Sequence, residues 1–325
     1  MTWVTWRQYR YQGMFAAALF AAVAVVLILT GLHAAWVWHS ALNQCTRNGT
    51  CRSLTGSGLS LGSPLALTLV LATAAVPLLP GLLWGAPAVA HELETGTHQL
   101  AWTQGISRRR WLMVRTGWLL LAAAVLAGAL SAIVTWWSRP FNALDATAFQ
   151  INHFDVTGIV PAAYALFAMA LGISAGTLLR RTLPALAVTL AGFAGVRVFI
   201  ALWLRIHYMT PVTVYYKLTA PFTPAGSYLP VRQGFVGPDG RPAALDYAVP
   251  NYNGIPLTAC KHALRNNPDP QAVLPCLAAH GYRGYLAYQP ASRFWAFQGI
   301  ETGIFLILAA ALIGIAFWVI RRRDA

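Results

Sequence analysis

Charge is what this chain lacks. Charged residues make up 10% of it, against roughly a quarter in a soluble domain, and only nine of its 325 residues are acidic. A surface facing water all round cannot be built from that composition. Lysine is scarcer still, with Lys217 and Lys261 the only two. The phosphate-binding loop G-x-x-x-x-G-K-[ST] needs a lysine behind its glycines, and neither lysine has that setting. Any ATP consumed on behalf of this chain is therefore bound by another. His91-Glu92 opens like the zinc-protease helix motif, but the next histidine, His98, lies two turns on instead of one. No basic domain or stacking platform offers itself to a nucleic acid.

What is abundant is apolar sequence. The hydrophobic share is 57% and the mean hydropathy +0.54. Six runs of about 20 apolar residues, each enough for a ~30 Å hydrocarbon core, fall at 14–36, 64–84, 112–136, 159–179, 183–204 and 294–320. No small-residue cleavage site marks the first as a signal peptide. Arginines alternate onto one side: Arg7 and Arg10, Arg108 to Arg110 with Arg115, Arg180 and Arg181, then Arg321 to Arg323. The short loops of the other side hold only Arg47, Arg52 and Arg139. The positive-inside rule then puts both termini in the cytoplasm. The expected fold is an all-α integral membrane protein of six transmembrane helices, with a small disulfide-bonded α+β external lobe between helices 5 and 6.

The expected organisation follows from that count. Trp3, Trp6, Arg7, Tyr9, Arg10 and Tyr11 alternate aromatic with basic residues and suit an amphipathic helix over 1–12 at the cytoplasmic interface. Residues 13–204 carry helices 1 to 5, 205–293 form the lobe, and 294–325 hold helix 6 and a cytoplasmic tail. The first external loop, 39–63, is rich in Gly, Ser and Thr and reads as irregular. In the lobe, Pro238-Asp239-Gly240 reads as the tip of a turn between two strands, and Asp269-Pro270 as a helix start.

With this topology all four cysteines face the oxidising side, where disulfides persist. The expected pairs are Cys45–Cys51 and Cys260–Cys276. Free thiols, or zinc held with His262 and His280, are the alternatives, and the spacing fits no common zinc site. No metal is expected.

Two ionisable residues sit inside apolar runs. Arg197 precedes the outer end of the fifth by about seven residues, and Glu301 follows the outer start of the sixth by about as many, which puts both roughly 10 Å below the surface at ~1.5 Å per residue. A lone arginine at mid-membrane costs at least ~2.5–3.5 kcal/mol, so the two are expected to pair. The pair either fixes helix packing or forms a polar gate. Phe193, Phe199 and Trp203 are candidate linings of an apolar cavity nearby, or else ordinary packing and lipid-facing residues.

The most informative stretch is 86–110, between the second and third runs. It carries Glu92 and Glu94, the only acids near the cytoplasmic surface before the C-terminus, then a break at Gly96 and a restart after Ser107, a good N-cap. Glu92-x-Glu94-Thr95-Gly96-Thr97, a polar stretch, Ser107-Arg108 and Arg115 resemble the type-2 ABC transporter permeases. Gly85-Ala86-Pro87 through Trp111, and Tyr288-Gln289-Pro290 through Trp295 leading to Glu301, are similar to permeases common in actinobacteria. The plan of spans also resembles the G-subfamily exporters, without their fused ATPase domain. The resemblance implies that Glu92, Glu94, Thr95, Gly96 and Thr97 lie on a coupling helix that docks on an ABC ATP-binding subunit. It implies two such subunits holding ATP and Mg, and two permease copies, identical or closely related, in a bacterial plasma membrane. This chain would hold no cofactor and catalyse no reaction. The expected activity is outward movement of a hydrophobic or amphipathic drug, peptide or lipid by alternating access. A sensing or resistance scaffold on the same ATPase, or an integral-membrane enzyme, are the competing readings.

Overall fold

The computed structural model describes residues 2–48, 68, 73–95, 108–139, 149, 151–220, 222–241 and 273–323. In chain order the first elements are α1 (Thr2–Asn48) and a second span that passes through a 3-10 turn (Val76–Leu78) and a π turn (Gly81–Gly85) into α2 (Ala86–Thr95). Then come α3 (Arg108–Trp137), the short α4 (Ile151–Phe154), α5 (Val160–Leu179) and α6 (Thr182–Phe199). After them lie β1 (Val212–Lys217), β2 (Tyr228–Val236), α7 (Val273–Ala279), β3 (Arg283–Pro290) and α8 (Phe294–Arg323). Among the described residues six helical stretches are long and apolar enough to cross a membrane: Phe20–Ser40, Thr73–His91, Thr116–Trp137, Val160–Leu179, Thr182–His207 and Ala291–Arg322. The chain divides into two compact units, Met1–Arg205 with Trp295–Ala325, and Ile206–Phe294.

Two boundaries differ from expectation. The stretch over 1–12 is not a separate helix, and 39–48 is not irregular, because α1 runs unbroken through both. No proline or glycine interrupts the chain between Gly31 and Gly49. Past Trp84 the second span runs on as helix through Glu92 and Glu94. Its prolines and glycines look like breakers, but the 3-10 and π turns absorb the missing hydrogen bonds and the helix continues.

In the first unit α5 is the hub, with fifteen of its twenty residues buried. It meets the second span at backbone distance. A Cβ on Gly81 would stand 2.3 Å from the carbonyl oxygen of Ala168, and one on Gly172 would stand 2.6 Å from that of Gly81. Small residues at this seam let dispersion act between backbones where lipid offers no hydrophobic drive. Ala165, Met169 and Ile173 of α5 pack with Val89, Ala123, Ala316 and Ile320, which joins α2, α3 and α8 to the hub. The Ser174 hydroxyl donates to the Leu312 carbonyl at 2.6 Å. α1 sits against α3 through Leu27, Ala34, Leu130 and Val134, and the Trp137 indole donates to the Thr30 hydroxyl at 3.1 Å.

The start of α5 is pinned by one side chain. Gln298 of α8 is fully buried; its Oε1 accepts from the N–H groups of Ile159 and Val160, and its Nε2 donates to the carbonyls of Phe154 and Thr157. All four bonding positions of the amide are thus used. Gly158 (φ +74°) leaves room for it, since a Cβ there would lie 2.6 Å from that Oε1.

The second unit holds a three-stranded antiparallel sheet in the order β1-β3-β2, with Tyr215 opposite Tyr285 and Gly234 on the other side of Tyr285. The expected turn at Pro238-Asp239-Gly240 is present, closed by Gly240 N–H to the Gly237 carbonyl; the strand expected after it lies outside the described residues, among which β2 pairs with β3. The helix expected from Asp269-Pro270 toward Cys276 is seen as α7 over Val273–Ala279; Asp269 and Pro270 themselves lie outside the described residues. Cys51 and Cys260 also lie outside them, and of Cys45 only the backbone, in α1, is described.

Candidate functional site

Four charged side chains meet inside the first unit. Asp155 comes from the turn between α4 and α5, Arg197 from α6, Arg205 from the continuation of α6, and Glu301 from α8. Arg205 is 1% exposed and grips both oxygens of Glu301, Nε to Oε2 at 3.0 Å and Nη2 to Oε1 at 2.8 Å. Its Nη2 also donates to Asp155 Oδ1, and its guanidinium lies 4.2 Å from the centre of the Phe154 ring. Arg197 donates from Nη2 to Asp155 Oδ2 at 3.2 Å and from Nη1 to the Ala74 carbonyl at 2.7 Å. The Tyr164 hydroxyl donates to Glu301 and stands 3.2 Å from Asp155 Oδ1. Two guanidinium cations face two carboxylates, so the group is neutral as a whole. Each carboxylate is multiply hydrogen-bonded, which is what makes buried ions tolerable.

The sequence expectation needs correcting here. The arginine bonded to Glu301 is Arg205, and Arg197 binds Asp155 and Ala74 instead. Depth along two helices was legible, but the direction in which each side chain leaves its helix was not. Eight residues at ~100° each would carry Arg205 ~80° around the helix from Arg197. The π turn Ile200–Leu204 fits an extra residue into that turn and takes up the offset. Asp155, Tyr164 and Arg205 were missed. Asp155 and Arg205 lie just outside two apolar runs, on the same side as Glu301, and charged residues flanking spans at one level are the signal that could have found them.

The opposite end of α6 carries a second polar contact. α5 ends at Arg180 in the left-handed conformation (φ 54°), Arg181 is extended, and α6 begins without a cap from its own N-cap residue. The cap comes from α2: Glu94 Oε2 accepts from the Thr182 hydroxyl at 2.8 Å and from its N–H at 3.1 Å. A helix N-terminus presents unpaired N–H groups and favours a carboxylate. These two bonds from Thr182, with His91 and Arg181 adding to them, hold the Glu94 carboxyl below its usual range. Glu92 and Thr95 are helical in backbone, and Gly96 and Thr97 lie outside the described residues.

Two apolar grooves flank α6 where it faces the second span. One, of about 450 Å³, is lined by Ala74, Leu78, Asp155, Phe193, Arg197 and Leu202 among others. The other, of about 490 Å³, is lined by Leu82, Leu83, Pro87, Leu186, Ala187 and Leu190. Of the three aromatics expected together, only Phe193 lines the first groove, with its ring packed near Tyr164 and Phe167. Phe199 and Trp203 stack on each other at 5.3 Å, both more than half exposed, and do not line either groove. Among the described residues no group of three or more His, Cys, Asp or Glu side chains could hold a metal ion. Cys276 Sγ lies 3.8 Å from Nδ1 of His280, its neighbour one turn on.

A family model described as ABC-2 membrane transporter related matches residues 17–205, more than half of the chain. The matched stretch takes in the first five spans, Glu92, Glu94, Asp155, Tyr164, Arg197 and Arg205. No curated protein and no solved structure matches the chain.

Proposed function

Because the chain belongs to the ABC-2 membrane transporter related family, and is thus a membrane subunit of an ABC transporter and not itself the ATPase, we propose that it exports a hydrophobic or amphipathic molecule powered by a separate ATP-binding subunit. One observation carries this reading. The second span runs on as a helix, α2, that bears Glu92 and Glu94 and is joined through Glu94 to the start of α6. Displacement of that helix by a partner is thereby communicated to a span lined with apolar grooves. Grooves of about 450 and 490 Å³ are of ligand size and lie within one chain, which supports a cargo with a large apolar body. Drug, peptide and lipid share that chemistry.

In this reading both termini face the cytoplasm, as the arginine distribution favours, and the unit Ile206–Phe294 is external. Two permease copies and two ATP-binding subunits form the transporter, since a closed two-fold pair is the commonest symmetric assembly. The disulfides Cys45–Cys51 and Cys260–Cys276 belong to the same picture, and what supports the second is that Cys276 carries no free thiol.

The test is co-purification with the stand-alone ATP-binding subunit, then ATP-driven uptake of a fluorescent amphiphile into inverted vesicles. Export requires uptake that Glu92→Ala reduces while the complex remains assembled. An assembled, ATP-hydrolysing complex that moves no cargo would favour the sensing scaffold.

A further inference from the structure

α6 is seated along a narrow line and tied at its ends. Of its eighteen residues only Ala185, Thr189 and Phe193 are buried, one per turn along a single line, whereas α5 buries three quarters of its length. At one end that line is a contact of alanines, Ala185 with Ala86, Ala90 and Ala175. The Thr189 hydroxyl bonds back within its own helix, to the Ala185 carbonyl at 2.7 Å. From 183 to 196, among the described residues, no hydrogen bond ties α6 to another helix, and the polar ties are concentrated at its ends: Glu94 on Thr182, and Asp155 and Ala74 on Arg197. A rod seated on a narrow smooth seam slides more readily than one that interlocks, and shear of packed helices is a known form of two-state motion.

We propose that α6 is the sliding element of this subunit and that Glu94 is a positioning residue that drives it, not a contact of the ATP-binding subunit. The proposal rests on the transporter reading above for the source of the force. Movement of α2 is passed through the two Glu94–Thr182 hydrogen bonds to the N-terminus of α6. At ~1.5 Å per residue the helix carries it ~22 Å to Arg197. There the Arg197 contacts with Asp155 and Ala74 are remade, and the groove that those three residues line changes shape. Asp155 is suited to this because its two oxygens serve different arginines, Oδ1 for Arg205 and Oδ2 for Arg197. Arg197 can leave while Arg205 keeps Asp155 paired. The π turn Ile200–Leu204 lies between Arg197 and Arg205 and takes up the movement, so Arg205, held by both carboxylates, is the fixed post.

The experiment uses the full chain in nanodiscs, with spin labels at Ile159 and Leu202. Both positions are exposed, one at the start of α5 and one beyond Arg197. The labels are attached through an introduced ketone-bearing amino acid, since the chain has four cysteines of its own. Without the ATP-binding subunit, the native protein should give a narrow distance distribution that broadens in Glu94→Ala and in Thr182→Val. Glu94→Gln, whose amide oxygen still accepts both bonds, should restore it. With the subunit added, ATP should shift the distance in native and Glu94→Gln protein, and the shift should be lost in Glu94→Ala although the complex still assembles and hydrolyses ATP. A native distribution in Glu94→Ala, or an ATP-driven shift that survives it, overturns the inference. If the ATP-binding subunit fails to bind the native chain while the mutational broadening is present, the transporter reading falls and the mechanical tie stands.

Discussion

Arg205 and Glu301, separated by 96 residues, form a two-pronged pair in which both carboxylate oxygens are engaged by one guanidinium and both side chains are 1% exposed. Asp155 shares that guanidinium, so removing the arginine leaves Glu301 with no cation and Asp155 with Arg197 alone. Arg205→Met is expected to lower stability by about 3–5 kcal/mol, the usual loss when one member of a buried ion group is deleted. Arg205→Met combined with Glu301→Leu should lose less, because Asp155 keeps Arg197. Thermal unfolding in detergent reads the difference; a double variant weaker than the single one would contradict this account of the cluster.

The seam between the second span and α5 makes a sharper demand. Gly172→Ala would put a methyl group 2.6 Å from the Gly81 carbonyl oxygen and 2.7 Å from the Ala86 nitrogen, and backbone cannot yield as a side chain can. Overpacking of this kind costs about 1–3 kcal/mol. Gly128 of α3 has open space at its Cβ, so Gly128→Ala should be neutral or stabilising by up to ~1 kcal/mol. Equal melting temperatures for the two variants would mean that the seam is looser than the geometry implies.

The Glu94 tie has a pH signature. Its carboxyl is held below the ordinary value of 4.5 by hydrogen bonds to the charged form. A depressed folded value means that the contribution is complete above about 4.5 and fades as pH falls through the folded value, so the tie is unchanged across neutral pH. The chain has only three glutamates, Glu92, Glu94 and Glu301, which makes carboxyl-labelled NMR practicable. One resonance, missing in Glu94→Gln, should titrate below the usual range and move up toward it in Thr182→Val. A Glu94 resonance with an ordinary midpoint in the native protein would count against the tie.

The lobe should contain a covalent loop. A Cys260–Cys276 bond would close about 16 residues, worth about 3 kcal/mol in the chain-entropy model. Mass analysis of non-reduced, alkylated protein should find both cysteines unmodified. Alkylated Cys260 would remove the bond from consideration, and Cys276→Ser should then leave stability unchanged.

Some of this was legible in the sequence because it depends on composition and order. Six apolar runs and a separate unit after the fifth are properties of the chain read in one dimension, and they hold at the level of elements. Their ends were less secure: the loop expected over 39–63 does not begin at 39, because α1 runs on to Asn48 with no proline or glycine to stop it before Gly49. The resemblance carried by Glu92-x-Glu94-Thr95-Gly96-Thr97 and its surroundings named the family that the comparison shows.

Which charges meet was beyond such a reading. Arg197 and Glu301 were the visible candidates because they interrupt apolar runs, whereas Asp155 and Arg205 stand at the edges, where charge is ordinary. Lipid cannot solvate an ion, so sequence alone dictates that Arg197 and Glu301 must find partners. Hydropathy fixes depth, but the angle at which a side chain leaves its helix depends on local winding and on the neighbours against which the helix is seated. One π turn in the extension of α6, and the glycine seam that sets the height of α5, decided that Glu301 belongs to Arg205 and that Glu94 caps Thr182.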